Sequence, residues 1–246
     1  MEQQDQSFSW TTATLADIAL SFPPAASILN RHNLDYCCKG QMLFQTACEI
    51  QKYNTEKIRE EILQATDEES ESSGIHFDKW EASLLIDFIV QHHHRFVKQS
   101  ISQIQALLDT VCSIHGEDDL SVLAVRDDFN DLVTELKDHM PREEEILFPA
   151  IRRLLDPRPV ERELTSIDAN IRVLIAATEQ DHEYAGELVK SLRSMTRHYT
   201  PPDYACPTFR AAYQMLQDFD NDLVQHIHLE NNILFQRVKK KDYTPN

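Results

Sequence analysis

Glycine is scarce in this chain, with 4 among 246 residues, and so is the strand-like alternation of apolar and polar side chains. A sheet-rich fold needs both, glycine for its turns and a period of two along its strands, so the fold class expected is all-α. Neither a basic n-region nor an apolar core marks Met1-Glu-Gln-Gln-Asp5, and no secretory signal is expected. No apolar run reaches the ~20 residues that a membrane span needs. Positive charge is in deficit. With 24 Lys and Arg against 41 Asp and Glu, the net charge is −17, which argues against nucleic acid or an anionic membrane as main partner. The same charge suits a protein that attracts metal cations. The 5 cysteines are an odd number in a chain without an export signal, which points to reduced thiols in a cytoplasm.

One pattern is present twice. His139-Met-Pro-Arg-Glu143-Glu-Glu-Ile-Leu-Phe148 returns as His226-Ile-His-Leu-Glu230-Asn-Asn-Ile-Leu-Phe235. On a helix, positions i and i+4 share a face, so each copy aims an imidazole and a carboxylate into one small volume. Two facing copies offer two histidines and two carboxylates to a common centre, the ligand chemistry of a two-metal site in a helical bundle.

The chain up to residue 66 reads as short helices. Thr14 with Asp17 starts one, Pro23-Pro24 breaks it and opens a second to about Arg31, and Asn33 to Gly40 is a loop. Helices then follow over Met42–Ile50 and Thr55–Thr66. Residues 67–76, polar and acidic, are the best linker candidate. The remainder, residues 77–246, holds four long helical segments: about Asp78–Ser113, Glu117–Leu155, Leu164–His198, and one with Pro207 near its start that runs to about Lys240. Short connections imply an up-down-up-down four-helix bundle. Pro141 lies between His139 and Glu143, where it removes a backbone donor and predicts a kink or widened turn.

If the second and fourth long helices supply His-x-x-x-Glu, the first and third must supply the other ligands. The third has His182 at mid-length, with Gly186 one turn on leaving room beside a metal. The first has His92, His93 and His94. The apolar positions Ile89, Val90, Phe96, Val97, Ile101 and Ile104 turn His93 or His94 inward, and periodicity does not choose between them. Four imidazoles and two carboxylates suit iron, manganese or zinc, without the thiolates of a structural zinc site. With Glu143 and Glu230 each bridging two metals, every metal has about four protein ligands and about two open positions, for water, an oxo bridge or a diatomic gas. Glu144, Glu145, Asp181, Glu183 and His228 read as ordinary solvated or core residues. Glu135 and Asp222, one turn before His139 and His226, are candidate acceptors for those imidazoles, with plain solvation as the equal alternative.

At these residues the chain resembles the repair-of-iron-centres family, di-iron iron–sulfur cluster repair proteins with a hemerythrin-like domain. The match is carried by Ile89-Val90…His93-His94-Arg-Phe96, His115-Gly116, His139…Glu143…Ile-Leu-Phe-Pro149, Asp181-His182-Glu, Pro201-Pro-Asp-Tyr-Ala-Cys206 and His226…Glu230…Ile-Leu-Phe235. Leu34-Asp-Tyr36-Cys37-Cys38 resembles the small cysteine-pair domain that precedes the bundle in that family. Carried over by position, the family's iron ligands fall on His94, His139, Glu143, His182, His226 and Glu230. The resemblance implies two iron ions in a carboxylate-bridged centre, and repair or protection of iron–sulfur clusters damaged by nitric oxide or peroxide. Two routes are implied, donation of iron and reduction of nitric oxide, the second of which makes the protein an oxidoreductase. The implied partners are damaged iron–sulfur proteins, an electron donor or thiol reductant, and nitric oxide or dioxygen as small ligands. An oxygen- or nitric-oxide-binding sensor or carrier is the binding-module alternative, and a zinc-bound scaffold the structural one. Lys39 and Gln236 stand where the family usually has glycine and proline.

Adjacent Cα atoms lie about 3.8 Å apart, so a Cys37–Cys38 disulfide would be strained and reducible. As exposed thiols beside Lys39 the two favour thiolate, and the resemblance turns them toward a redox or metal-handling role in the chemistry. Cys48, Cys112 and Cys206 read as core or loop residues.

Overall fold

The computed structural model describes residues 8–68, 75–155 and 170–241. Among these the chain is helical, with a single β-bridge between Thr14 and Leu43. It divides into two compact units, one from the N-terminal region to Trp80 with Ile227–Ile233, the other Glu81–His226 with the C-terminal residues from Leu234. Of the expected linker, residues 69–74 lie outside the described residues.

The first unit contains α1 (Leu15–Ser21), α2 (Ala25–Arg31), α3 (Phe44–Gln51) and α4 (Thr55–Glu68). Thr14 caps α1 in a reciprocal box with Asp17, which satisfies two amides that the first turn leaves open. Leu15, Ile18, Phe22, Ile28, Leu29, Phe44, Ile58 and Ile62 fill the core. The ring of Trp10 stacks on Phe22 at 5.0 Å. The Cys37–Cys38 loop is tied down within this unit by the side-chain amides of Asn231 and Asn232, which donate to the carbonyl of Cys37 at 3.2 and 3.0 Å.

The four long helices form a bundle, and the last of them includes the Ile227–Ile233 segment counted with the first unit. Three of its helices are α-helices interrupted by a wider π-turn. Helix α5 is Ala82–Phe88, a π-turn Ile89–His94, then Arg95–His115. Helix α6 is Ser121–Arg142, a π-turn Glu143–Leu147, then Phe148–Leu155. Helix α7, Ile171–Met195, is unbroken. Helix α8 is Pro207–His228, a π-turn Leu229–Leu234, then Phe235–Lys240. The stripes that drive the packing keep helical spacing: Val97, Ile101, Ile104, Leu108 and Val111 on α5, and Ile171, Ile175, Thr178, His182, Ala185, Val189 and Leu192 on α7. Two of the boundary residues are set by backbone chemistry. Proline opens α8 where a missing N–H costs nothing, and Gly116 follows α5 where a Cβ would strike the carbonyl of Cys112. The widened turn expected from Pro141 is the π-turn that starts two residues after it.

Candidate metal centre

Each π-turn falls on a proposed ligand. His94 closes the turn in α5, Glu143 opens the one in α6, and Glu230 lies inside the one in α8. Such turns swing the residues after them to a new angle, and they recur at functional sites for that reason. His182 needs no such adjustment, because it sits in the apolar stripe of α7.

The six residues come together as two overlapping groups. His94, Glu143, His226 and Glu230 form one, and His139, Glu143, His182 and Glu230 the other, with ligand atoms in each group within 4.8 Å of one another. Both glutamates are therefore shared. Glu143 shows the sharing atom by atom: Oε1 lies 3.1 Å from Nε2 of His139, and Oε2 lies 3.4 Å from Nε2 of His94. Within each pair the imidazoles point their Nε2 atoms at one another, at 3.1 Å for His94 and His226 and 3.0 Å for His139 and His182.

This donor set fits cations. Glu144 accepts from Nδ1 of His94 at 2.7 Å, and Asp181 faces Nδ1 of His139 at 3.4 Å. Carboxylates can only accept here, so both rings carry their proton on Nδ1 and aim a lone pair from Nε2 into the cluster. All six residues are at most 2% exposed. Carboxylates and imidazole lone pairs converging away from water repel one another unless a positive ion stands between them. Nitrogen and carboxylate oxygen without sulfur is the set that iron, manganese and zinc accept.

The supporting residues differ from expectation in three places. Glu144 and Asp181, read from sequence as solvated, orient His94 and His139. Glu144 also pairs with Lys98 at 2.7 Å. Burial opposes its ionisation, but Lys98 and His94 outweigh burial and hold its carboxyl below the usual range. Asp181 takes Arg142 at 2.9 Å. Asp222 serves not His226 but the fully buried His93, whose Nδ1 it accepts at 2.9 Å. His93 is thus a core histidine stacked on His226 at 5.7 Å, and His94 is the member of the trio that joins the cluster. The signal for Asp181 was its place beside His182; for Glu144 it was the acidic triplet at the π-turn.

The cysteine pair also needs correction. Cys37 is buried rather than exposed, and Cys38 is half-buried. Both are thiols, with their Sγ atoms 3.5 Å apart. The hydrogen bond with Cys38, then burial, push the Cys37 thiol well above its usual range, so Lys39 does not make it a thiolate.

Known proteins match the chain over both regions. The hemerythrin HHE cation binding domain matches residues 84–238, and a domain of unknown function, DUF542, matches residues 11–66. A probable iron-sulfur cluster repair protein of Haemophilus influenzae is 30% identical over 230 residues, covering 94% of this chain and 98% of that protein. The chain belongs to the hemerythrin-like repair-of-iron-centres family. A second member, the iron-sulfur cluster repair protein YtfE of Yersinia pseudotuberculosis, is 29% identical and covers 92% of this chain and 96% of its own length. The matched model is a cation binding domain, and all six residues of the His/Glu cluster lie within the matched span. Among the described residues no helix is long and apolar enough to cross a membrane.

Proposed function

We propose that the bundle holds two iron ions bridged by Glu143 and Glu230, one between His94 and His226 and the other between His139 and His182, and that the protein repairs iron–sulfur clusters by supplying iron to them. The observation that carries the reading is the double engagement of Glu143, whose two oxygens face histidines of different pairs at 3.1 and 3.4 Å. When bound, the iron pair supplies exchangeable cargo and open coordination positions. The chain's own residues do the rest. Glu144 and Asp181 fix the ring orientation of His94 and His139, and the apolar residues Phe148 and Phe235, both at most 1% exposed, keep bulk water from the ligands. The absence of thiolate from the six ligands favours release, since nitrogen and oxygen donors hold iron(II) less firmly than sulfur-rich sites. The relatives named for iron-sulfur cluster repair support damaged iron–sulfur proteins as the recipients. The five thiols, none in a disulfide, suit a reducing cytoplasm, with a thiol reductant as electron source.

Anaerobically purified protein should contain about two irons per chain, coupled in its Mössbauer spectrum, and should reactivate a nitric-oxide-damaged iron–sulfur enzyme while losing iron to it. Glu143→Ala should empty both positions. Reactivation without iron loss, with nitric oxide consumed instead, would replace donation by nitric oxide reduction. Saturation at a single ion would end the two-metal reading.

A further inference from the structure

Three metal-ligating side chains that belong to neither His/Glu group stand together in the first unit. Asp35, Cys37 and Cys38 bring one ligand atom each within 4.8 Å of one another. Sγ of Cys37 lies 3.3 Å from Oδ1 of Asp35 and 3.5 Å from Sγ of Cys38. A tetrahedral ion with metal–sulfur distances of about 2.3 Å and metal–oxygen distances of about 2.0 Å spaces its donors roughly 3.5–3.8 Å apart. Both spacings from Cys37 are thus within a few tenths of an ångström of a shared cation's geometry, and the third pair lies within 4.8 Å.

The loop is built to hold them. Oδ1 of Asp35 accepts the backbone N–H of Cys38 at 3.0 Å, which ties the carboxylate to the pair. Asn231 and Asn232 donate to the carbonyl of Cys37, and Asn232 also to that of Tyr36 at 3.0 Å. Gly40 closes the turn where a Cβ would lie 2.6 Å from the carbonyl oxygen of Tyr36, so no larger residue fits without moving the loop. Cys37 is buried while Asp35 and Cys38 are half-buried, which leaves one side of the trio open to an incoming ion or a fourth ligand.

We propose that Asp35, Cys37 and Cys38 form a second metal site, taking one thiophilic divalent cation with a fourth position left for an exchanging ligand. Binding releases both thiol protons: M²⁺ and two Cys–SH give a dithiolate complex and two H⁺, with no change of oxidation state. Identifying the ion as iron(II) rests on the iron-handling reading above; the site itself does not. In that reading it is a transit position, softer and more open than the His/Glu centre.

The test is a cobalt(II) titration of the reduced full-length metal-free protein. Wild type should take up about three ions per chain, one of them with an intense near-ultraviolet thiolate-to-cobalt band. Cys38→Ser should lose that band and that ion and keep the other two. Asp35→Asn, which retains the oxygen that accepts Cys38 N–H, should weaken the third site about 10-fold or more. Glu143→Ala, by contrast, should lose the pair and keep the thiolate band, so the two sites fail separately. A wild type that stops at about two ions with no thiolate band overturns the proposal and leaves the His/Glu reading standing. Unchanged affinity in Asp35→Asn also overturns it, since the carboxylate would then not be a ligand.

Discussion

Nδ1 of His94 lies 2.7 Å from a carboxylate oxygen of Glu144, the residue next to Glu143, which both His/Glu groups share. One π-turn thus supplies both the carboxylate at the centre and the carboxylate that orients a histidine of the same centre. Glu144→Ala should leave the six ligands in place yet lower metal affinity by about 10–100-fold, because the ring of His94 loses its fixed tautomer. Lys98→Ala should matter much less, since its side chain is 49% exposed and the pair is screened. Chelator competition on the three proteins measures this. An Glu144→Ala protein that binds as tightly as wild type would show that packing alone orients His94.

A second expectation concerns stability at a distance from the ligands. Arg193 donates twice to Asp220, both bonds at 2.5 Å, and Tyr199 donates to the same carboxylate at 2.9 Å. All three side chains are buried, and Tyr199 ends a run with φ of 49°, 54° and 58° at Arg197, His198 and Tyr199. Left-handed backbone of this kind persists only where surrounding contacts enforce it. Asp220→Ala strands a buried guanidinium and should cost about 3–5 kcal/mol. Arg193→Met combined with Asp220→Leu should cost far less, because no charge is left unpaired. Thermal unfolding of the metal-free proteins decides it; equal losses in both variants would mean that packing, not the ion pair, holds the turn.

The sequence was legible where one helix carried the information. His139 and Glu143 share a face at i and i+4, and His182 sits within the apolar stripe of α7; both follow from spacing alone. What spacing could not supply were contacts between helices. Asp222 stands one turn before His226, and helical geometry assigns it to that ring, but it accepts instead from the buried imidazole of His93 on α5. Glu144 looked solvated because a helix of 3.6 residues per turn points it about 100° from Glu143; the π-turn on α5 brings His94 to meet it. The same limit hid the burial of Cys37, whose loop is held by asparagines nearly 200 residues away, the Asn231 contact spanning 194.

Alkaline pH should weaken the fold through Tyr213. Burial, then the charges of Asp119 and Tyr204, push its hydroxyl up to about 12. An unfolded tyrosine ionises near pH ~10. Between those values the folded state keeps a proton that the unfolded state has lost, so stability falls as pH rises. The contribution is whole below pH ~10 and disappears as the pH climbs toward that of the folded group. Urea midpoints of wild type and Tyr213→Phe, compared from neutral to strongly alkaline pH, should separate above pH ~10, wild type losing stability that the variant keeps. Parallel curves would mean that Tyr213 titrates alike in both states.

Thiol reactivity should run opposite to first impressions of the sequence, in which the adjacent pair looks reactive and Cys206 looks inert. Sγ of Cys206 lies 3.5 Å from Nε2 of His115, a residue 91 positions earlier on another helix. The hydrogen bond with His115, joined by backbone N–H groups of Phe209 and Thr208 at the start of α8, pulls this thiol below its usual range. Cys37 is pushed the other way by its bond to Cys38 and by burial. With less proton held by Cys206 at neutral pH, iodoacetamide should modify it well ahead of Cys37 in the folded protein. The pH midpoint of its alkylation should fall below the ordinary thiol value, and His115→Ala should raise that midpoint and slow the reaction. Peptide mapping after brief labelling reads each site separately. If Cys37 is labelled first, its loop opens more readily than its burial implies; if His115→Ala changes nothing, the amides of α8 alone hold the thiolate.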